Sequence, residues 1–226
     1  MSDSTDNGEP TRQFAWGVAH DFSNLVQIIM GFAEFLQMQH RDDAELQQCV
    51  EEIITASDRA RELVTQLRLV AHRCDPVREP TDLTALLEGM AEALQALVGP
   101  DIRLHWQLQP GGGLMPLDRA CIARAVTGLC ACAREAMPQG GTLTITTQRV
   151  HSGVQLTVQD SGCGYEPSVA KRLCEPFFMK RTMGRGNGLE LAVGQGVAEQ
   201  HGGSLAIETS PGRGTAVQLY FPGAGA

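Results

Sequence analysis

Apolar side chains recur with a heptad period along the first third of the chain. Before residue 40, the two seam positions of the heptad hold Ala19, Phe22, Val26, Ile29, Ala33 and Leu36. After a short polar break, the same phase resumes with Val50, Ile53, Ser57, Ala60, Val64, Leu67 and Ala71. The pattern predicts two helices joined as an antiparallel hairpin, with Asp42 or Asp43 as the N-cap of the second helix.

A lone hairpin of this kind would bury only one face of each helix. Pairing two hairpins into a four-helix bundle covers both apolar stripes. We therefore expect residues 11–75 to form a homodimerisation module. Proline cannot continue a helix, so the segment Asp75-Pro-Val-Arg-Glu-Pro80 ends the second helix, and residues 76–80 are predicted to be a linker.

From residue 81 onward the periodicity is mixed. Thr81-Asp82 predicts the cap of a helix that carries apolar residues from Leu83 to Leu97. Further helices are predicted from Asp118 to about Met137 and from Gly188 to His201. Alternating positions predict strands at residues 102–108, 143–147, 154–158, 204–207 and 216–221. Helices interleaved with hairpin-joined strands predict a two-layer α/β sandwich over residues 81–226.

Composition narrows the classes of protein to consider. The chain is 42% hydrophobic and 19% charged, as in soluble proteins, and its net charge of −8 argues against a nucleic-acid surface. No apolar run approaches the ~20 residues of a membrane span, so we expect a cytoplasmic protein without membrane insertion. Residues 1–10 are acidic and polar, which predicts a disordered tail. The seven cysteines contain no C-x-x-C pair and are expected to be reduced thiols that bind no zinc.

A polar cluster, Gly17-Val-Ala-His-Asp-Phe-Ser-Asn24, lies in the first predicted helix. His20 is one step past a seam position, and Asn24 lies one turn further along the same exposed edge. An isolated histidine in such a position is usually only a solvated polar residue. With Asp21 adjacent to the imidazole, however, a solvent-reachable histidine on a rigid helix can act as a nucleophile.

Two glycine-rich segments follow in the second half. Asp160-Ser-Gly162-Cys-Gly164 leaves the end of a predicted strand, where an aspartate can accept the amino hydrogen of adenine, although aspartate and glycine also favour plain turns. Gly184-Arg-Gly186-Asn-Gly188 runs directly into a helix, and its amides suit phosphate groups. Between the two lies Glu175-Pro-Phe-Phe-Met-Lys180, which ends in a cation.

These segments resemble boxes of known families. The cluster around His20 resembles the phosphoacceptor box of sensor histidine kinases, in which His-Asp/Glu-Phe-x-Asn opens the first helix of a dimeric bundle. The three later segments are similar in order and spacing to the first glycine box, the phenylalanine box and the second glycine box of the GHKL ATPases. Arg134-Glu-Ala-Met-Pro-Gln-Gly-Gly141 resembles the end of the asparagine box, so the resemblance covers about residues 14–222.

The resemblance implies an α+β protein, in which a dimeric helical hairpin precedes an ATP-binding sandwich of the GHKL (Bergerat) type. It implies catalytic roles for His20, Asp21 and Asn24. The implied nucleotide-binding residues are Asp160, Gly162, Gly164, Lys180, Gly184, Gly186, Asn187, Gly188 and Arg134. The implied activity is that of a protein-histidine kinase of a two-component system, in which ATP phosphorylates His20 and the phosphoryl group passes to an aspartate of a response-regulator receiver domain.

Three positions depart from the family pattern. The two asparagines of the asparagine box, one of which binds Mg²⁺, correspond here to Gly128 and Cys132. A thiol is a soft ligand and a poor partner for a hard cation that prefers oxygen. Glu190 stands where the family usually has glycine, and its carboxylate competes with phosphates for the helix N-terminus. Coordination of Mg²⁺ is therefore in doubt, although Glu135 could compensate for the missing ligand.

Three interpretations follow. The first is a kinase that phosphorylates itself at His20. The second is a phosphotransfer or phosphatase adaptor that passes phosphate between regulators without efficient use of ATP, with Asn24 positioning a water molecule. The third, a GHKL ATPase outside signalling, leaves the cluster around His20 unexplained. Because only a short segment precedes the histidine helix, we expect the input signal to come from an upstream sensor protein or a ligand.

Overall fold

A computed structural model of the chain describes residues 9–70, 76–109, 113–150, 153–183 and 188–223. The chain divides into two compact units, Met1–Cys74 and Asp75–Ala226. Within the described ranges, no helix combines the length and the apolar character that crossing a membrane requires.

The first unit is a helical hairpin, as predicted, formed by α1 (Glu9–Gln39) and α2 (Ala44–Val70). The backbone N–H of Leu46 donates to the Asp43 carboxylate at 3.1 Å, which makes Asp43 the cap of α2. Helix α1 begins at Glu9, so the predicted boundary of the tail at residue 10 is wrong by two residues, and residues 1–8 lie outside the described part of the chain.

Only one of the two seam positions in each heptad is buried inside the hairpin. The buried set is Ala19, Val26 and Ala33 on α1 with Val50, Ser57 and Val64 on α2. At the other seam position of α1, Phe22 is 54% exposed and Ile29 48% exposed, because α2 covers one side of α1 only. The exposed apolar side chains of α1, which we call the outer stripe, are Phe22, Leu25, Ile28, Ile29, Phe32, Phe35 and Met38.

The second unit contains a five-stranded sheet in the order β2-β4-β5-β7-β6. These strands are β2 (Ile102–Leu108), β4 (Gly141–Val150), β5 (Gly153–Asp160), β6 (Ser204–Thr209) and β7 (Thr215–Pro222). β2 pairs with β4 in parallel, and the other neighbours are antiparallel, including the two predicted hairpins. β1 (Glu79–Asp82) and β3 (Leu114–Leu117) form a separate antiparallel pair, which the sequence did not predict.

Helices cover the sheet and form the second layer. They are α3 (Leu83–Gly89), α4 (Ala91–Val98), α5 (Arg119–Ala136), α6 (Pro167–Ala170), α7 (Phe178–Met183) and α8 (Glu190–Gln200). α5 and α8 pack against each other and against the sheet. Apolar residues that alternate along β4 and β5, such as Leu143, Ile145 and Leu156, are fully buried in this layer. The predicted two-layer α/β sandwich is confirmed.

Two local predictions need correction. Asp82 caps a helix as expected, with its carboxylate accepting from the N–H of Thr84 at 2.9 Å, but the helix predicted to reach Leu97 is broken into α3 and α4. The break follows Gly89, a poor helix former. Part of the predicted linker at residues 76–80 is also structured, since β1 begins at Glu79.

The segment before β1 is held by the second unit. The Val77 N–H donates to Oδ2 of Asp118 at 2.9 Å, and the same carboxylate caps α5 through the N–H of Cys121. His201 accepts from the Asp118 N–H at 2.9 Å and contacts the carbonyl of Val197 through Nδ1. These hydrogen bonds hold the segment before β1 against the start of α5 and the end of α8.

Candidate functional site

The predicted phosphoacceptor residues lie on an exposed edge of α1. The side chain of His20 is 59% exposed, and its Nδ1 lies 3.3 Å from Oδ1 of Asp21, which is 83% exposed. Asn24 is also exposed, one helical turn from His20. Ala19 and Val26 lie on the neighbouring face of α1, which is buried against α2, so the edge that carries His20 and Asn24 faces solvent.

Asp160 is the last residue of β5 and is buried. Its Oδ1 accepts from the N–H of Gly162 at 2.7 Å and of Thr215 at 3.3 Å. Burial raises the pKa of the Asp160 carboxyl, and these hydrogen bonds oppose that rise. Thr215 pairs with Asp160 across β5 and β7. Thr215 was not among the residues predicted from the sequence, although a strand that begins directly after the Pro211-Gly-Arg-Gly turn was a usable signal.

The glycines after Asp160 have a structural role that differs from the predicted one. A Cβ built on Gly162 would lie 2.6 Å from the carbonyl oxygen of Ala136. Gly164 has a φ of +60°, and a Cβ there would lie 1.9 Å from the carbonyl oxygen of Ser210. Glycine is therefore required because this loop packs on the protein's own backbone, whether or not a ligand also approaches it.

The phenylalanine box touches the start of the last helix. The Phe177 N–H donates to the carbonyl of Gly188 at 2.7 Å, and Phe177 has a φ of 62°, which is unusual for an aromatic residue. Gly188 lies two residues before α8. Gly184, Gly186 and Asn187 lie outside the described residues, as does the side chain of Lys180, whose backbone is part of α7.

Arg134 has a partner that the sequence did not indicate. Its Nη1 lies 2.5 Å from Oδ2 of Asp101, just before β2, and this hydrogen bond lowers the pKa of the Asp101 carboxyl. The guanidinium, predicted to bind nucleotide, is thus engaged by a carboxylate of the chain and joins the end of α5 to the start of β2.

The residues at the implied metal position do not fit Mg²⁺. Gly128 offers no side chain, and Cys132, one turn further along α5, offers a thiol. Burial first of all, and then the charges of Glu190, Glu135 and Asp160, raise the pKa of that thiol, so it stays protonated. In the described part of the chain, no three His, Cys, Asp or Glu side chains come together in a way that could hold a metal ion.

Two family models match this chain, one over the helical hairpin and one over most of the second unit. Residues 11–73 match the family model described as the His Kinase A (phospho-acceptor) domain. Residues 118–225 match the model described as the histidine kinase-, DNA gyrase B-, and HSP90-like ATPase. The chain belongs to the histidine kinase family. The family resemblance expected from the boxes is confirmed, and the His20 cluster lies within the phosphoacceptor match.

Individual histidine kinases are similar over nearly all of this chain. Sensor kinase CckA of Brucella abortus is 30% identical over 227 residues, which cover 93% of this chain and 24% of CckA. Sensor histidine kinase ZraS of Klebsiella oxytoca is 27% identical over 210 residues, which cover 92% of this chain and 45% of ZraS. The chain thus spans less than half the length of either curated relative.

Solved structures of histidine kinases share the fold. Full-length ShkA in complex with AMPPNP has a TM-score of 0.73 at 21% identity, covering 95% of this chain and 46% of ShkA. The mycobacterial sensor histidine kinase MprB has a TM-score of 0.57 at 28% identity, covering 65% of this chain and 98% of the MprB chain. A helical hairpin followed by a GHKL-type sandwich is therefore the family fold as well as the fold of this chain.

Proposed function

We propose that the chain is the phosphoryl-transfer part of a two-component histidine kinase. ATP bound by the second unit phosphorylates His20, and His20 passes the phosphoryl group to an aspartate of a response-regulator receiver domain. The observation that carries the proposal is the exposed edge of α1, where His20, Asp21 and Asn24 stand together, in a chain of the histidine kinase family. Nothing in the relatives favours the adaptor alternative.

The geometry at His20 supports nucleophilic attack through Nε2. A carboxylate beside Nδ1 favours the tautomer that carries its proton there, so the lone pair lies on Nε2. Nε2 bonds to the γ-phosphorus as the bond to the β,γ-bridging oxygen breaks, and ADP leaves. In the second step a receiver carboxylate attacks the same phosphorus and the N–P bond breaks, which restores the neutral imidazole.

In the second unit, Asp160 is the proposed partner of the adenine amino group, and Gly188 with the start of α8 is the proposed phosphate end. Gly184, Gly186, Asn187 and Lys180 are proposed from the sequence alone. No step is assigned to Mg²⁺, because Gly128 and Cys132 do not supply ligands for it. Incubation of the chain with γ-labelled ATP, followed by addition of a receiver domain, tests the proposal. We expect label on the chain first and on the receiver domain afterwards, and label on neither protein would contradict it.

The outer stripe supports a homodimer, because contiguous exposed apolar surface of this kind marks an interface. We expect light scattering on the full chain at micromolar concentration to give twice the chain mass of 24.3 kDa. Phe32 is 68% exposed at the middle of the stripe. Phe32→Glu would bury a charge in the interface and should weaken dimerisation at least ~10-fold.

Gln27→Glu is the matched control for this substitution. Gln27 is exposed on α1, and its direction on the helix differs from that of Phe32 by about 140°. We expect Gln27→Glu to leave the mass unchanged. A parent chain that is monomeric yet fully helical would rule out the homodimer.

Asn24 is the proposed positioning residue for a hydrolytic water. It is exposed one turn from His20, so a receiver domain docked on this edge could present its phosphoaspartate to both side chains. Asn24→Ala should spare phosphoryl transfer and slow dephosphorylation of the cognate regulator by roughly 10²-fold. The measurement is the lifetime of the phosphorylated regulator, with Gln39→Ala, an exposed position at the far end of the same helix, as the control. An unchanged lifetime would remove the phosphatase role.

A further inference from the structure

A buried histidine joins the end of α8 to the start of α5. His201 is 8% exposed. Its Nε2 lies 2.9 Å from the backbone nitrogen of Asp118, and its Nδ1 lies 2.7 Å from the carbonyl oxygen of Val197. A backbone N–H can only donate and a carbonyl can only accept, so Nε2 accepts from Asp118 and Nδ1 donates to Val197. The two hydrogen bonds together fix His201 as the neutral tautomer that carries its proton on Nδ1.

Asp118 connects this histidine to the segment before β1. Its Oδ2 accepts from the N–H of Val77 at 2.9 Å. Arg78 adds a second attachment, because its Nη2 donates to the carbonyl oxygen of Gln200, the last residue of α8. Residues 76–78 are thus held at two points. Both points are neighbours of the buried histidine, one through a hydrogen bond and the other along the chain.

Two charged groups of opposite sign face His201 from the elements around it. The guanidinium of Arg78 opposes protonation of the imidazole, and the carboxylate of Asp118 favours it. From β7, the uncharged ring of Phe221 meets the imidazole edge-on, with 5.9 Å between the ring centroids. On the same helix as His201, the carboxylate of Glu199 accepts a hydrogen bond from within α8. Burial acts first of all and, with the Arg78 charge, lowers the pKa of His201 below its ordinary value of 6.5.

A protonated His201 does not fit these hydrogen bonds. The imidazolium carries a second proton on Nε2, which would meet the N–H of Asp118 with no acceptor between the two donors. Buried donors that lose their acceptor are destabilising, so the ring and Asp118 would have to separate. The carboxylate available to the imidazolium is that of Asp118, and an ion pair with it would draw that carboxylate away from the N–H of Val77. Either movement displaces the group that holds Val77.

We propose that His201 and Asp118 form an acid-sensitive latch, which holds residues 76–78 on the second unit while His201 is neutral and releases them when His201 is protonated. The inference goes beyond the proposed function, because it makes the proton an input that acts where the chain enters the second unit. Burial acts to raise the pKa of the Asp118 carboxyl, but the N–H groups of Cys121 and Val77 outweigh burial and lower it. Asp118 therefore stays ionised, and His201 is the member of the latch that titrates.

The direction of the pH dependence follows from the two states of the latch. A released imidazole has the ordinary pKa of 6.5, and the latched imidazole has a lower pKa. The released state therefore binds more protons, so the latch is fully stable above pH 6.5 and weakens as the pH falls below that value. At pH 5.5 a released imidazole is protonated about ten times as often as not, so acid favours release by at most ~10-fold relative to pH 7.5.

Hydrogen exchange of the Val77 amide in the full chain tests the inference. After correction for the intrinsic pH dependence of exchange, protection of this amide in the parent should fall by roughly threefold to tenfold between pH 7.5 and pH 5.5. In His201→Gln, a side-chain oxygen that does not titrate replaces Nε2 as the acceptor, so protection should change by less than about twofold. His105→Gln, at an exposed position of β2, is the matched control and should fall like the parent.

Two results of the exchange experiment would overturn the latch. One is equal protection of Val77 at both pH values in the parent, and the other is an equal fall in the parent and in His201→Gln. The histidine ring also gives a test that needs no variant. The ¹⁵N chemical shifts of His201 in the full chain should report a proton on Nδ1 and none on Nε2 at pH 7.5. A proton on Nε2 at that pH would contradict the hydrogen bond from Asp118 and overturn the inference.

Discussion

His20→Ala is expected to abolish phosphoryl transfer to and from the chain while the hairpin stays folded. The side chain is largely exposed, so its removal takes little packing from α1, and alanine is the best helix former. The nucleophilic lone pair is lost, so both the forward and the reverse transfer should fall by at least ~10³-fold. The measurement is transfer of label between the chain and a receiver domain, started from either protein.

His40→Ala is the control for this substitution. His40 is an exposed histidine of the same unit, in the turn between α1 and α2. It should support transfer at the parental rate. Transfer that survives His20→Ala, in either direction, would contradict the assignment of the phosphoacceptor.

Asp160→Asn should remove adenine-nucleotide binding and leave the fold intact. The hydrogen bonds from Gly162 and Thr215 both end on Oδ1, and an asparagine carbonyl can accept both. The second oxygen becomes an NH₂ group, which faces the adenine amino group with a donor in place of an acceptor. We expect the Kd for adenosine to rise by roughly 10²-fold or more.

Thermal unfolding separates this loss of binding from a loss of structure. Burial raises the pKa of Asp160 and so disfavours its charged form in the folded protein. The neutral asparagine avoids that cost, so Tm should stay level or rise at neutral pH. Unchanged adenosine affinity in Asp160→Asn would place the adenine elsewhere. A large fall in Tm would mean that the carboxylate is needed for the fold.

The heptad pattern predicted the hairpin but not the use of its two seam positions. Both positions are apolar in α1, so periodicity alone treats Ala19 and Phe22 alike. The structure buries the small residues at Ala19, Val26 and Ala33 and exposes the large ones at Phe22 and Ile29. Small residues let α2 approach closely. The size of the side chains therefore carries the information that the apolar pattern lacks.

In the second unit, local signals predicted most elements, and contacts between distant segments remained hidden. Alternation predicted the strands β2, β4 and β5, because successive side chains of a strand point to opposite faces and one face of each of these strands is the more buried one. The split of the helix before Leu97 follows Gly89, a local signal that the periodicity of the apolar residues masked. The pairing of β1 with β3, by contrast, joins residues about 35 positions apart, as in Thr81 with Met115. Propensity carries no information on such pairs.

The candidate site shows the same division. Asp160 and the glycines after it stood out as a motif, whereas the pairing of Arg134 with Asp101 and the contact of Glu190 with Gly128 did not. Each of these pairs joins residues from different segments of the chain, so no single segment of the sequence indicates the pairing. The departures from the family pattern at residues 128 and 190 were visible separately, and only the fold brings them into contact.

The central claim is that the chain carries a phosphoryl group on His20, and the chemistry of the bond tests it most directly. The full chain is incubated with γ-labelled ATP at millimolar concentration, and the labelled protein is then divided between acid and alkali. A phosphoramidate is lost in acid and retained in alkali, so we expect acid-labile, alkali-stable label that is absent from His20→Ala. Acid-stable label, or label of any kind that persists in His20→Ala, would contradict the claim.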